Sequence, residues 1–165
     1  MKVKAYLDNN VVSSIGKDDT ATESDSLDAL SAAYDAGKVD LVTSELTLQE
    51  IRQYSGQGRK LVERTFRLLE KVPVVQWDEL VGINTFGDKS SWISSPIIEN
   101  KPLYDALLKI GIRTVDARHV FVAAKQACTV FLTCDGGVLA RRGDVSKLCG
   151  LMVQKPSELV TSQGW

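Results

Sequence analysis

The chain has 165 residues and a mass of 18.1 kDa, which favours one domain with a substantial core. Its 44% hydrophobic and 25% charged residues, with a mean hydropathy of −0.07, are typical of a soluble globular protein and exclude a disordered one. No apolar run approaches the roughly 18 residues that a membrane span needs, and the start of the chain lacks a signal-peptide core, so we expect a cytoplasmic protein without membrane contact.

Charge and cysteine usage narrow the function classes. The net charge of −1 argues against bulk attraction to nucleic acid. However, residues 1–50 carry 4 Lys/Arg and 10 Asp/Glu, whereas residues 101–165 carry 9 and 5. This asymmetry is compatible with a site in which carboxylates lie beside cations that bind a phosphate backbone. It is also compatible with an ordinary solvated surface whose charge is unevenly spread. Three cysteines without CxxC spacing predict reduced, packed thiols.

The N-terminal half alternates strand and helix patterns. The segment KVKAYL, residues 2–7, predicts a first strand that ends at Asp8. The next elements follow from apolar spacing, with Gly37 as a helix stop and Ser44 as a helix N-cap. In chain order they are a helix over 27–37, a strand over 39–43, a helix over 44–56, a helix over 61–72 and a brief strand at 74–75.

The C-terminal half resumes this alternation after an irregular stretch over 77–102, which glycines and prolines interrupt. A helix is predicted over 103–110, and Thr114 is predicted to cap another that extends to Ala127. The apolar segment TVFLT, residues 129–133, predicts a strand buried on both faces. A fifth strand over 151–153 and a helix opened by Pro156 complete the chain. The alternation predicts a single α/β domain with a parallel sheet covered on both sides.

Two acids follow predicted strands. Asp8 ends the first strand and Asp135 follows the strand at 129–133, and sites in parallel α/β sheets form at the carboxyl ends of strands. Each also has a plain structural explanation. Asp8 is compatible with loop capping, and Asp135 with an Asp-Gly turn.

Two further acids lie on predicted helices. Glu50 borders the apolar face of its helix, between Leu46 and Tyr54 at four-residue spacing. Asp116 lies in the first turn after Thr114, where a negative charge meets the helix dipole favourably. The dipole does not explain why Asp116 heads the alanine-rich face that should pack on the sheet, since burying a carboxylate costs several kcal/mol.

If the first and fourth strands are neighbours, Asp8 and Asp135 meet at the topological switch point, and the two helix acids can lean over the same crevice. Carboxylates about 4 Å apart repel by roughly 4 kcal/mol per pair at an effective dielectric near 20. Such a cluster takes up protons or holds a cation, and oxygen ligands select hard ions such as Mg²⁺ or Mn²⁺. The chemistry predicted is metal-assisted phosphoryl or phosphodiester transfer.

The same residues resemble a known family. YLDNN at Asp8, SELTLQEI at Glu50, DARHVFVAA at Asp116 and FLTCD at Asp135 look like the four-acid signature of PIN-domain nucleases, of which VapC-type toxins are the most numerous members. The tail VQKPSELV is similar to the strand and helix that close many PIN domains. The resemblance extends from residue 2 to about residue 160, and it implies an α/β/α sandwich with a parallel sheet in the order 3-2-1-4-5.

The resemblance also implies an activity. The implied enzyme is an Mg²⁺- or Mn²⁺-dependent endoribonuclease that hydrolyses single-stranded RNA. The candidate partners are an antitoxin protein and a second copy of the chain. The implied metal-binding and catalytic acids are Asp8, Glu50, Asp116 and Asp135. Asn10 and Thr133 are the implied polar residues that orient these acids. Many members carry another acid where this chain has Val138, which puts a full second metal site in doubt.

Several other side chains are candidates for RNA contacts. Candidate phosphate-binding residues are Arg113, Arg118, Arg141 and Arg142, which a solvated basic surface explains equally well. His119, the sole histidine, shares a helix face with Asp116 and is interpreted as a packing residue, with a catalytic acid as the alternative. The tryptophans at 77, 92 and 165 suit base stacking or ordinary packing.

Two rival interpretations stay open. A phosphatase of the haloacid dehalogenase kind also begins from an Asp after strand one, but it needs a second Asp where this chain has Asn10. The other rival is a catalytically silent binding module that keeps the PIN fold and acts through a protein or RNA partner. The presence of all four acids favours the nuclease.

Overall fold

The computed structural model describes residues 2–13, 20–53, 68–76 and 101–165. The strands are β1 (Val3–Leu7), β2 (Val39–Ser44), β3 (Val74–Val75), β4 (Val130–Leu132) and β5 (Met152–Gln154). Residues 68–71 are also helical. The remaining helices are α1 (Asn10–Ser13), α2 (Thr20–Asp35), α3 (Glu45–Gln53), α4 (Lys101–Lys109), α5 (Thr114–Lys125), α6 (Gly136–Ala140), α7 (Arg142–Cys149) and α8 (Pro156–Gln163).

The strands form one parallel sheet in the order β3-β2-β1-β4-β5. Ala5 in the central strand pairs with Leu41 on one side and Val130 on the other. The chain therefore leaves β1 towards one edge and later returns to its other side at β4. The carboxyl ends of β1 and β4 lie side by side, at the switch point where α/β sheets form their sites.

Helices cover the sheet with two apolar layers, because successive β1 side chains point to opposite faces. Ala5 and Leu7 pack in one cluster with residues of α2 and α8, whereas Tyr6 packs in the other with residues of α5. Fully burying a large aliphatic side chain stabilises the fold by about 1.5–3 kcal/mol. The two layers therefore fix the strands whose ends carry the site.

The predicted fold class and strand order are confirmed. Most element bounds shift by no more than two residues, but α2 begins at Thr20, seven residues before its predicted start at residue 27. Thr114 is the first residue of α5, not its cap, since Arg113 occupies the N-cap position. The sequence analysis did not predict the short helices α1, α6 and α7, and it interpreted the glycines that begin α6 as a turn. The predicted helix residues 54–56 and 61–67 and the irregular stretch over 77–100 lie outside the described residues, whereas residues 101–102 begin α4.

The three cysteines, all in the described part of the chain, are not joined in disulfides; Cys128 is buried and the other two are half-buried. Burial raises the pKa of Cys128 to about 11. Within the described part of the chain, no helix combines the length and the apolar character needed to cross a bilayer.

Candidate metal centre

Asp8 occupies the junction between the two central strands. Its backbone N–H donates to the carbonyl of Leu132 at 3.1 Å, which continues the pairing of β1 with β4 by one residue. Its side chain is 2% exposed. Oδ2 accepts hydrogen bonds from Thr133 Oγ1 at 2.8 Å and Asn10 Nδ2 at 3.2 Å, and Oδ1 accepts from the Asn9 backbone at 2.8 Å. Asn10 and Thr133, both predicted as supporting residues, thus contact the same carboxylate oxygen.

Asp135 lies beside Asp8 because both contact Thr133. The backbone N–H of Asp135 donates to Thr133 Oγ1 at 3.0 Å, and the same hydroxyl donates to Asp8. Oδ1 of Asp135 accepts from the Val138 backbone N–H at 3.0 Å and caps α6. The cap fixes one oxygen of Asp135, and its second oxygen points to another partner.

That partner is Arg113, which joins Asp135 to Asp116. Its Nη2 lies 2.8 Å from Asp135 Oδ2, and its Nε lies 2.8 Å from Asp116 Oδ2. Asp116 is 5% exposed in the first turn of α5. Burial raises the pKa of Asp116, the Arg113 hydrogen bond lowers it, and the negative charges of Asp135 and Asp8 raise it further, leaving it above its usual value. Because both carboxylates contact one guanidinium, they are also close enough to repel each other.

Glu50 on α3 approaches the cluster from the other side. Its Oε2 accepts a hydrogen bond from Asn9 Nδ2, and its Oε1 lies 3.4 Å from His119 Nε2. Burial lowers the pKa of His119, but the Glu50 hydrogen bond and the negative charge of Asp8 outweigh burial and raise it above the usual value. His119 is 1% exposed, so its ring is a buried partner of Glu50 rather than a group open to solvent.

A buried polar network holds His119 in place. Tyr6 Oη lies 2.8 Å from His119 Nδ1 and 2.6 Å from Ser44 Oγ. Because a carboxylate only accepts hydrogen bonds, the contact with Glu50 assigns a proton to Nε2 of His119, and neutral His119 then accepts from Tyr6 through Nδ1. Burial raises the pKa of Tyr6, which keeps its hydroxyl protonated. Sequence reasoning missed Tyr6 and Ser44, although the alternation of β1 places Tyr6 on the α5 face.

A cavity of about 290 Å³ opens beside Asp116 and Asp135. The cavity is lined by Gly111, Ile112, Arg113, Asp116, Asp135, Gly137 and Val138. Asp8 and Glu50 do not line it, so the cavity gives access to one pair of acids and not to the other.

One amide oxygen near the acids lacks a partner. Oδ1 of Asn9, whose backbone contacts Asp8 and whose Nδ2 contacts Glu50, is buried without a hydrogen-bond partner among the described residues.

The other predicted arginines have different surroundings. Arg118 is exposed on α5. Arg141 lies against Gly111, which lines the cavity and whose φ of +86° favours glycine. Arg142 is 3.2 Å from Glu158 in an ion pair on α7 and α8. Arg113 contacts Asp116 and Asp135 directly.

The remaining sequence candidates have structural surroundings. Val138, the position at which the sequence analysis questioned a second metal site, is buried and lines the cavity. Trp165 packs against the core cluster of α2 and α8. Trp77 and Trp92 lie outside the described residues.

All four predicted acids therefore belong to one connected set. Glu50 reaches Asp8 through Asn9, Asp8 reaches Asp135 through Thr133, and Asp135 reaches Asp116 through Arg113. The donor set of carboxylates and an unpaired amide oxygen fits a hard divalent cation. Within the described residues, however, no three acidic, histidine or cysteine side chains already lie in a geometry suited to one ion.

No protein-family model matches this sequence, and no curated protein matches it. The chemistry of the side chains and their contacts is therefore the basis on which a function is assigned.

Proposed function

We propose that this chain is a metal-dependent endoribonuclease that hydrolyses phosphodiester bonds of single-stranded RNA. The observation that carries the proposal is the connected set of four acids, which come from four separate segments of the chain. Three of the four residues, Asp8, Asp116 and Asp135, have side chains no more than 16% exposed. Arg113 supplies one positive charge beside these three carboxylates, so an additional cation would stabilise the cluster.

The acids are the ligands proposed for Mg²⁺ or Mn²⁺. Asp116 and Asp135 line the cavity, and Asp8 and Glu50 extend the negative charge behind it. A divalent ion bound there would lower the pKa of a bound water and stabilise charge on the reacting phosphate. Thr133 and Asn10 orient Asp8, while His119 and Asn9 hold Glu50.

The choice of RNA follows from the resemblance of the four motifs to PIN-domain nucleases. So do two proposed partners, an antitoxin protein and a second copy of the chain. The local surface is compatible with a polyanion, because Arg113 lines the cavity and Arg141 lies against Gly111 in the same wall. The uneven charge places the excess of basic residues in the C-terminal third, which supplies both arginines.

The test is cleavage of labelled single-stranded RNA with Mn²⁺, Mg²⁺ or EDTA. Asp8→Asn keeps the size of the side chain but removes its charge, and we expect cleavage to fall at least about a hundredfold. The matched control is Asp40→Asn, which removes an exposed carboxylate that pairs with Lys2 near the amino ends of β1 and β2, whereas Asp8 follows the carboxyl end of β1. Cleavage that persists in EDTA, or that Asp8→Asn leaves unchanged, contradicts the proposal.

One observation favours a second candidate, a catalytically silent binding module. Arg113 already pairs with both Asp116 and Asp135 and offsets one of their two negative charges without a metal. A silent module would retain labelled RNA or a protein partner equally well in EDTA and in Mn²⁺, with no cleavage in either. A nuclease would instead produce cleaved RNA in Mn²⁺ or Mg²⁺ and none in EDTA.

A further inference from the structure

One guanidinium occupies the space between two of the proposed metal ligands. Arg113 lies in the N-cap position of α5 and reaches Asp116 through Nε and Asp135 through Nη2, both at 2.8 Å. The two nitrogens contact Oδ2 of each acid, and Oδ1 of Asp135 is already used by the cap of α6. A cation that binds through Oδ2 of Asp116 and Oδ2 of Asp135 would therefore compete with Arg113 for the same two atoms.

The two sides of this contact differ in their exposure. The side chain of Arg113 is 70% exposed, whereas those of Asp116 and Asp135 are 6% and 16% exposed. The carboxylates are fixed by buried elements, but the guanidinium can rotate into solvent without disturbing the core. An exposed arginine recovers its hydration on leaving, so the main cost of its departure is the loss of two charge-assisted hydrogen bonds.

We propose that Arg113 is an internal counter-cation that a divalent ion must displace from Asp116 and Asp135 before it can bind. This rests on the proposed function, because it assumes that these acids are metal ligands. In the metal-free protein Arg113 offsets the repulsion between the acids and stabilises the buried carboxylate of Asp116. The cost is weakened metal affinity, since ion and guanidinium compete for the same oxygens.

The competition is measured by calorimetric titration of Mn²⁺ into the full-length protein without RNA. In Arg113→Gln we expect the dissociation constant to fall at least about tenfold, because two charge-assisted hydrogen bonds no longer have to be broken. Arg113→Lys keeps the positive charge but loses the planar fork that reaches both acids, so its affinity should lie between those of Gln and wild type.

The control for overall charge is Lys71→Gln, which removes a cation from an exposed ion pair with Asp35. Lys71 precedes the edge strand β3, whereas Asp116 and Asp135 lie beside the central strands. Its dissociation constant should match that of wild type. Thermal unfolding without metal checks that each variant folds, and we expect Mn²⁺ to raise the melting temperature of Arg113→Gln more than that of wild type.

The outcomes separate the two proposals. If wild type and Arg113→Gln bind Mn²⁺ with equal affinity, or if Arg113→Lys binds like wild type, the displacement model is wrong while the metal centre stands. If neither wild type nor any variant binds Mn²⁺ or Mg²⁺, both proposals are wrong. Should Arg113→Gln fail to fold, the comparison of Arg113→Lys with wild type decides the question.

Discussion

The hydroxyl of Thr133 donates a 2.8 Å hydrogen bond to Asp8, although 125 residues separate the two in the sequence. Thr133 follows β4 and Asp8 follows β1, so this bond joins the carboxyl ends of the two central strands. The same oxygen accepts from the backbone of Asp135 at 3.0 Å. One fully buried hydroxyl therefore holds two of the acids next to each other.

Replacing Thr133 tests this junction. Thr133→Val keeps the shape of the side chain but removes the shortest hydrogen bond to Asp8 Oδ2 and the Thr133 acceptor of the Asp135 N–H, so we expect a loss of about 1–3 kcal/mol in the free energy of unfolding. Thr133→Ser keeps the hydroxyl and should lose about 1 kcal/mol or less through the missing methyl group. Urea unfolding measures both. Equal losses in the two variants would mean that the hydrogen bonds contribute nothing measurable.

The contact between Tyr6 and His119 is predicted to be energetically coupled. Tyr6→Phe leaves Nδ1 of His119 and the Ser44 hydroxyl without that partner, and His119→Leu leaves the Tyr6 hydroxyl without one of its partners. In a double-mutant cycle we expect a coupling energy of about 0.5–3 kcal/mol, measured by urea unfolding. Tyr34→Phe is the matched control, because its hydroxyl contacts the carbonyl of Lys71 elsewhere. The losses in unfolding free energy of Tyr34→Phe and His119→Leu should simply add in the double variant, with no coupling energy.

The sequence predicts the strands and helices that carry the site, because the residue patterns that indicate them are local. The apolar segments before Asp8 and Asp135 indicate strands, and the alternation with helices indicates a parallel sheet. The strand order came with the family resemblance, since nothing local in β1 and β4 says that they pair. Placing Asp8 and Asp135 together therefore needed a topology, which the register of β1 with β4 now supplies.

The parts that sequence reasoning missed depend on long-range contacts. Arg113 was one of four candidate arginines, and its contact with Asp135 depends on how α5 and α6 pack. Tyr6 had the pattern of a core residue, and its bond to His119 joins positions 113 residues apart. The glycines after Asp135 favoured a turn, yet the Asp135 side chain caps a helix there. Local patterns cannot distinguish these outcomes.

Asp135 has two roles that substitution can separate. Asp135→Asn keeps a side-chain oxygen for the Val138 N–H, since Asn is as good an N-cap as Asp, but it removes the charge. Asp135→Ala removes both. We expect Ala to cost about 1 kcal/mol more in unfolding free energy than Asn, while both weaken Mn²⁺ binding to a similar extent. If Asn binds Mn²⁺ as tightly as wild type, the charge of Asp135 does not contribute to a metal site.

The capping box of α8 predicts a dependence of stability on pH. Burial raises the pKa of Glu158, but the Lys155 backbone N–H at 2.8 Å and the Arg142 guanidinium outweigh burial and hold it below its ordinary value of 4.5. Because the pKa is lower in the folded protein than in the unfolded one, the charge stabilises the fold above pH 4.5. That contribution disappears as the pH falls through the folded pKa.

Glu158→Gln isolates this contribution, because Gln retains an acceptor for the Lys155 N–H but not the charge. The side chain is 38% exposed, so solvent screening limits the expected loss at neutral pH to about 0.5–1 kcal/mol. Urea unfolding should show the gap in unfolding free energy between wild type and Glu158→Gln narrowing as the pH falls below 4.5 and through the lowered folded pKa, and shrinking in high salt. A gap that is the same in acid as at neutral pH would assign the loss to packing and not to charge.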